Sequence, residues 1–250
     1  MEEFVSKTEA RGTKVHWAST GEQAREIVLQ IMRDKKAKSV IKSKAMTSEE
    51  IHLNDALEKV GLNVVESDLG EFIVQLREEL PYHIVFPSMH LTRDEISDLF
   101  QRELGSAPTN DPEELTMIAR RAFAQKISHG GHRHHRRKFR DCRNGHDFHH
   151  GNEGNARLTA ALPKTMISLI GIEKILPRLE DLALFLPMLA TMGTGQQLTC
   201  YNTLYSGPVN PVKATDRRNG TLFCSTIIAP NSSPTPSSAT RFIAFVAARA

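Results

Sequence analysis

Over the first 126 residues, short apolar segments alternate with amphipathic stretches that carry helix-capping signals. That alternation restricts the chain to an α/β fold, with a mostly parallel sheet and helices on both faces. Strands are expected at Lys14–Ala18, Ser39–Lys42, Asn63–Glu66 and Tyr82–Phe86. Between them, Ser19 or Thr20 can cap a helix whose apolar face is Ala24, Ile27, Val28, Ile31 and Met32. Thr47 with Glu50 reads as a capping box, opening a helix through Ile51, Leu57 and Val60 that Gly61 stops. Thr92 with Glu95 is a second box, for a helix ending at Gly105, and Asp111-Pro112 starts another that runs to about Phe123. Further on, Thr165–Gly171 reads as an apolar strand. Leu179–Leu189 reads as an apolar helix ended or kinked at Pro187, and Gln197–Leu204 as a last strand.

Two regions break the pattern. His129–His150 holds seven of the eleven histidines with five arginines and one lysine, and has no apolar period. It reads as an aberrant, insert-like segment of an α/β domain spanning 1–208. From 209 to 250 Ser, Thr, Pro and Ala dominate, and this stretch is expected to be an irregular, disordered tail, with Asn231–Thr240 of low complexity. The net charge of +3 is concentrated in the histidine tract, which carries six Lys/Arg against two Asp; elsewhere 26 basic residues meet 27 acidic ones. Outside the tract nothing suggests a nucleic-acid partner. No apolar run approaches the ~20 residues that span a bilayer, and the N-terminus lacks a signal-peptide core, so a cytoplasmic location is expected. Cys142, Cys200 and Cys224 have no paired spacing, which argues against a disulfide framework or a zinc ribbon.

In parallel sheets, ligands collect at the carboxyl ends of strands. Polar clusters fall there: Lys42-Ser43-Lys44, Asp68 with Glu71, His90 after the fourth expected strand, and Glu173-Lys174 after Thr165–Gly171. With Glu50 and the loop residues Asn152, Glu153, Asn155 and Arg157, they form a candidate pocket for an organic acid or a phosphate. Read one at a time, each is an ordinary strand-to-helix turn, with Ser43 or Asp68 acting as a cap.

The runs Lys42-Ser43-Lys44-Ala45-Met46, Glu49-Glu50-Ile51-His52-Leu53-Asn54 and Glu66-Ser67-Asp68-Leu69-Gly70-Glu71 resemble the LUD domain of the lactate-utilisation protein B family. Asn152-Glu153-Gly154-Asn155-Ala156-Arg157 and Gly171-Ile172-Glu173-Lys174 continue the resemblance in the same order, over roughly 11–126 and 151–208. It implies a fold like the NagB/RpiA/CoA-transferase group. It also implies a role in a multi-subunit system that oxidises L-lactate to pyruvate, with other lactate-utilisation subunits as partners. Intact members carry 4Fe–4S clusters on Cys-x-x-Cys-x-x-Cys repeats, and this chain has none, so no cofactor is expected to be retained. The family's N-terminal helical extension is not expected here either, and the resemblance transfers no catalytic residue.

Where the family has a glycine-rich Ile-Thr-Gly-Gly-Asn-Phe turn followed by Ala-Glu-Thr-Gly, this chain has His132-Arg133-His134-His135-Arg136-Arg137-Lys138-Phe139. One permitted codon series is CAT CGC CAT CAC CGG CGG AAA TTT. Read one base later, it gives Ile-Ala-Ile-Thr-Gly-Gly-Asn-Phe, and Arg140–Phe148 can continue as Ala-Ile-Ala-Glu-Thr-Gly-Met-Ile-Ser. In the tail, Ile243–Ala250 can give Cys-Val-Arg-Cys-Gly-Ala-Cys, the start of a cluster-binding run. The hypothesis that follows is a frame-disrupted gene or a sequencing error, and resequencing the coding DNA over these two regions decides it. A charged loop in place of a central strand is expected to leave a gap in the sheet and a marginally folded chain. Two other readings compete with an impaired lactate-oxidation component. One is a stand-alone enzyme or binder for a small organic acid or CoA-type ligand. The other is a metal-binding protein using the histidine tract.

Overall fold

The structure is a computed structural model that describes residues 2–129, 132–136, 139–141, 146–161, 165–205, 223–228 and 244–248. Strands β1 (Thr13–Trp17), β2 (Ser39–Lys42) and β3 (Asn63–Glu66) alternate with helices α2 (Gly21–Asp34), α3 (Met46–Glu50), α4 (Leu53–Lys59) and α5 (Leu69–Leu76). Ahead of them lies α1 (Glu2–Glu9), whose Phe4 is fully buried against Ile170. Then come α6 (Arg93–Leu104), α7 (Pro112–His129), β4 (His132–Arg136), β5 (Phe139–Asp141), β6 (His146–Gly151), α8 (Asn155–Ala161) and β7 (Thr165–Leu169). The chain continues through β8 (Ile175–Leu176), α9 (Leu182–Thr194), β9 (Tyr201–Tyr205), β10 (Phe223–Ile228) and β11 (Ala244–Ala248).

The main sheet has the order β3-β2-β4-β7, and every neighbouring pair in it is parallel. The expected α/β class with a parallel sheet is therefore what forms. Burial explains why β2 and β7 sit there: all four residues of β2 and all five of β7 are buried, as strands need when both flanks are covered. Helices α2 and α4 close over them through Val28, Ile31, Leu53 and Leu57, which join Val40, Val64, Ile167 and Leu169 in one apolar cluster. Each such side chain contributes ~1.5–3 kcal/mol by leaving water. Helices α5, α6 and α7 pack together through Phe72, Phe100, Leu115 and Ala119. A second, mixed sheet has the order β8-β5-β6-β9.

Several local readings hold. Thr20 accepts a hydrogen bond from the Gln23 amide and starts α2, and the Thr92–Glu95 box is complete in both directions. Gly105 leaves α6 at φ 66°.

Others need correction. Thr47 caps nothing: α3 begins at Met46 behind Ala45, which makes no side-chain cap, and the expected single helix breaks at His52, whose φ is 50°. Pro187 lies inside α9 without ending it, and the exit is Gly195 at φ 71°. Tyr82–Phe86 forms no strand; Tyr82, Ile84 and Phe86 are exposed. Pro81 and Pro87 bracket that run and supply no amide donor for a ladder.

The neighbour of β2 that the sequence did not identify is the histidine-rich stretch itself. His132–Arg136 runs parallel between β2 and β7, with Ile41 opposite Arg133 and Ser168 opposite His135. The sheet therefore has no gap there, contrary to the expectation of a loop. Within the stretch expected to be irregular, β10 and β11 pair with each other and with β1. Asn231–Thr240 lies outside the described residues. Among the described residues no helix is long and apolar enough to cross a membrane.

Candidate functional site

The carboxyl ends of β2 and β3 carry a close cluster of charged side chains. Parallel register puts Lys42 directly opposite Glu66. The Lys42 side chain is wholly buried; its Nζ lies 2.8 Å from Glu66 Oε1 and 3.9 Å from Glu49 Oε1, and donates to Ser48 Oγ at 3.0 Å. Asn54 Nδ2 also donates to Glu66 Oε1, at 2.9 Å. An ammonium can stay charged in such a place only where carboxylate and hydroxyl acceptors replace its lost water. Two residues on, Lys44 Nζ donates to the Val85 carbonyl at 3.1 Å and lies 3.6 Å from Glu71 Oε1. Burial first, then repulsion from Glu49 and Glu66, pushes the Glu71 carboxyl up to about 8 against the pull of Lys44 and Lys42. At neutral pH Glu71 is therefore largely protonated, which leaves much of the Lys44 charge uncompensated.

Two cavities are lined in part by this row. The first has a volume of about 440 Å³, and its walls include Glu49, Glu58, Glu66, Glu71 and Glu78. The second, about 280 Å³, is bounded by Ser43, Lys44, Asp68, the exposed segment at Ile84–Phe86, His149 and His150 of β6, and α9 at Leu189–Thr194. The loop between β6 and α8 brings Asn152, Glu153 and Asn155 to the second cavity. Asn155 Nδ2 bonds the Ser67 carbonyl at 3.2 Å and Glu153 Oε2 at 3.1 Å, which ties that loop to the end of β3. Asn152 Oδ1 accepts from the Cys200 amide, and its Nδ2 donates to Gln196 Oε1. Gly154 turns the loop at φ 70°. The Glu153 carboxyl is raised chiefly by desolvation and next by Asp68, although the residue as a whole is exposed.

Six of the thirteen residues singled out from the sequence thus meet at the second cavity: Ser43, Lys44, Asp68, Asn152, Glu153 and Asn155. Glu71 lines the first, beside Lys44. Lys42 lines neither cavity and forms a buried ion pair with Glu66. Asp68 also proves to be a cap, accepting from the Glu71 amide at 3.2 Å.

Besides Lys42, five residues line neither cavity: Glu50, His90, Arg157, Glu173 and Lys174. His90 follows no strand and pairs at the surface with Glu79, at 3.1 Å. Glu173 and Lys174 bond each other at 3.0 Å on a 3₁₀ turn, near Glu50, whose carboxyl is raised first by burial. Arg157 is exposed on the first turn of α8, outside both linings.

Sequence reasoning missed Glu49, Ser48, Asn54 and Glu66, and the buried His149 and His150. One signal was present for Glu66. It ends a four-residue strand as Lys42 ends another, and parallel register brings two such ends side by side. Among the described residues no group of three or more His, Cys, Asp or Glu side chains is placed to hold a metal ion. The side chains of His129–Arg143 lie outside the described ones, so the metal reading of the tract is not addressed by them.

Comparison with known proteins follows this geometry. The family model described as LUD domain matches residues 1–130 and 143–218, so the match is interrupted where the histidine-rich strand stands. The chain is 40% identical over 199 residues to Lactate utilization protein B of Anoxybacillus flavithermus, covering 79% of this chain and 42% of that one. It is also 40% identical over 200 residues to the protein of the same name from Macrococcus caseolyticus, and over 209 residues to that of Geobacillus kaustophilus. Coverage is 80% and 83% of this chain, and 42% and 43% of those two. The chain therefore spans less than half the length of these curated relatives. No solved structure matches it.

Proposed function

Because the chain belongs to the LUD-domain family, we propose that it is the LUD-domain part of a component of lactate utilisation. In this reading it works with other lactate-utilisation subunits in an iron–sulfur electron-transfer system that oxidises L-lactate to pyruvate. The single observation that carries the reading is the 40% identity over 199 residues to a protein named Lactate utilization protein B.

In its present frame the component is impaired. A central parallel strand flanked by two wholly buried strands calls for a near-continuous apolar run. His132–Arg136 contains none, whereas the shifted frame supplies Ile-Ala-Ile-Thr. The family match lapses over 131–142, which is where this substitution falls. The test is growth on L-lactate of a bacterium lacking its own Lactate utilization protein B. A frame-restored coding sequence should support growth and the present one should not. Failure of the restored sequence would sink the lactate reading, and growth with the present one would sink the impairment.

The second cavity favours a further reading within the same fold, a site for a small organic acid. Lys44, relieved of its counter-charge by the protonated Glu71, can hold a carboxylate. The Asn152 amide, whose Nδ2 keeps a second hydrogen beside its bond to Gln196, can donate to a neighbouring hydroxyl or carbonyl group. Lactate and pyruvate should raise the melting temperature of the intact chain, and Lys44→Met should abolish the effect. Equal stabilisation of the Lys44→Met variant would rule the site out.

A further inference from the structure

Part of the second cavity's wall is apolar and has no role in holding a carboxylate. Ile84, Val85 and Phe86 supply one stretch of it, and Leu189 and Gly193 of α9 another. Neither Ile84–Phe86 nor the whole of α9 contains a charged residue. Lys44, Asp68 and Asn152 come instead from the strand ends and from the loop after β6. Polar and apolar linings thus belong to different elements.

Both apolar stretches are held in place. Lys44 Nζ donates to the Val85 carbonyl at 3.1 Å, and Pro87 sits so close to α5 that a methyl group on Gly70 would meet its Cδ at 2.9 Å. Helix α9 is fastened by Leu182, Phe185 and Leu186, which pack with Phe148 and Leu176 of the second sheet. Ile84 and Phe86 nevertheless remain 57% and 54% exposed, apolar surface that packing within the described residues leaves largely unused. The cavity also has room to spare. At ~30 Å³ for each water-sized group, about 280 Å³ holds roughly nine, whereas lactate has six non-hydrogen atoms. Gly193 borders open space, since a Cβ placed on it would meet nothing within 4 Å.

We propose that this site takes a monocarboxylate with an unbranched apolar arm, a 2-hydroxy acid of about six carbons, with its carboxylate on Lys44 and its arm against Ile84, Phe86 and Leu189. The proposal rests on the organic-acid site described above and extends it from the head group to the tail. The lactate methyl group reaches little of the apolar lining, whereas three further methylenes cover it. Each methylene moved from water onto such a surface should tighten binding about fourfold.

The test is a set of thermal melts of the intact chain with unbranched 2-hydroxy acids of three to six carbons, and with 2-hydroxyhexanamide as an uncharged counterpart. Apparent affinity, taken from the concentration dependence of the melting temperature, is expected to rise about fourfold with each added carbon, and the amide should give no stabilisation. Gly193→Leu fills the open space beside α9 and should erase the gain of the six-carbon acid over lactate. Phe86→Ser, on a different element, should reduce that gain, and Met192→Ser, outside the cavity lining, should keep it. Melts without ligand show that each variant is folded. Stabilisation by lactate with no gain for longer acids would overturn the apolar arm and leave the organic-acid site standing. No stabilisation by any acid, or equal stabilisation by the amide, would overturn both. A gain kept in full by folded Gly193→Leu and Phe86→Ser variants would also overturn the proposal.

Discussion

Lys42 Nζ and Glu66 Oε1 stand 2.8 Å apart at the ends of two neighbouring parallel strands, with the side chains 0% and 3% exposed. The register of β2 against β3 makes the pair, and Ser48 and Asn54 complete it from the following helices. Replacing Glu66 leaves the buried Lys42 charge with only the Ser48 hydroxyl and the more distant Glu49 carboxylate to answer it. Glu66→Gln is expected to cost ~3–5 kcal/mol in urea unfolding, whereas Lys42→Met/Glu66→Leu should recover most of that loss. A double variant as unstable as the single one would show that the pair does more than compensate its own desolvation.

Glu71 should set a pH dependence of stability. Its folded pKa, about 8, lies above the ordinary carboxylate value, so the folded state holds a proton that the unfolded state has already lost. Stability from this group is then full below about pH 4.5 and declines as pH rises to about 8, by an amount on the order of a few kcal/mol. Glu71→Gln should flatten that slope in thermal melts taken from pH 5 to 8.5. An unchanged slope would assign the dependence to other groups.

Gly154 holds the loop that carries Asn152 and Asn155 to the second cavity. Its φ is 70°, and a methyl group placed there would meet the Tyr201 ring at 3.3 Å. Gly154→Ala should therefore cost ~1–2 kcal/mol and weaken organic-acid binding, read as a smaller ligand-induced rise in melting temperature. A variant that binds as well as the parent would remove the loop from the site.

The histidine-rich strand offers the largest gain. Replacing residues 132–139 by Ile-Ala-Ile-Thr-Gly-Gly-Asn-Phe puts apolar side chains between β2 and β7. Each one buried there should add ~1.5–3 kcal/mol, seen as a sharper and later denaturant transition. A chain that already unfolds sharply and is not stabilised by the exchange would count against the frame hypothesis, as would coding DNA with no frame disturbance in any close relative.

Much of the first half was legible from local rules. Thr92 with Glu95, Thr20, Gly105 and the apolar faces of α2 and of β2 depend on neighbours within four residues, so sequence suffices for them. Thr47 with Glu50 satisfied the same rule and failed. There the helix is fixed by a contact six residues back, Lys42 Nζ to Ser48 Oγ, and it breaks at His52. Tyr82–Phe86 had the composition of a strand, but the place beside β2 belongs to β4.

What the sequence determined by itself was the class of fold, the capped helices and the strand ends at which polar chemistry gathers, because these follow from periodicity and short-range hydrogen bonding. It also marked Ser43, Lys44, Asp68, Asn152, Glu153 and Asn155, which converge on one cavity although more than a hundred positions separate Ser43 from Asn155. The tertiary structure alone decided the pairing of Lys42 with Glu66, the raised Glu71, and the exclusion of Glu50, His90, Arg157, Glu173 and Lys174. Those outcomes depend on strand order and on how far each side chain is removed from water. Neither is a property of any short stretch of chain.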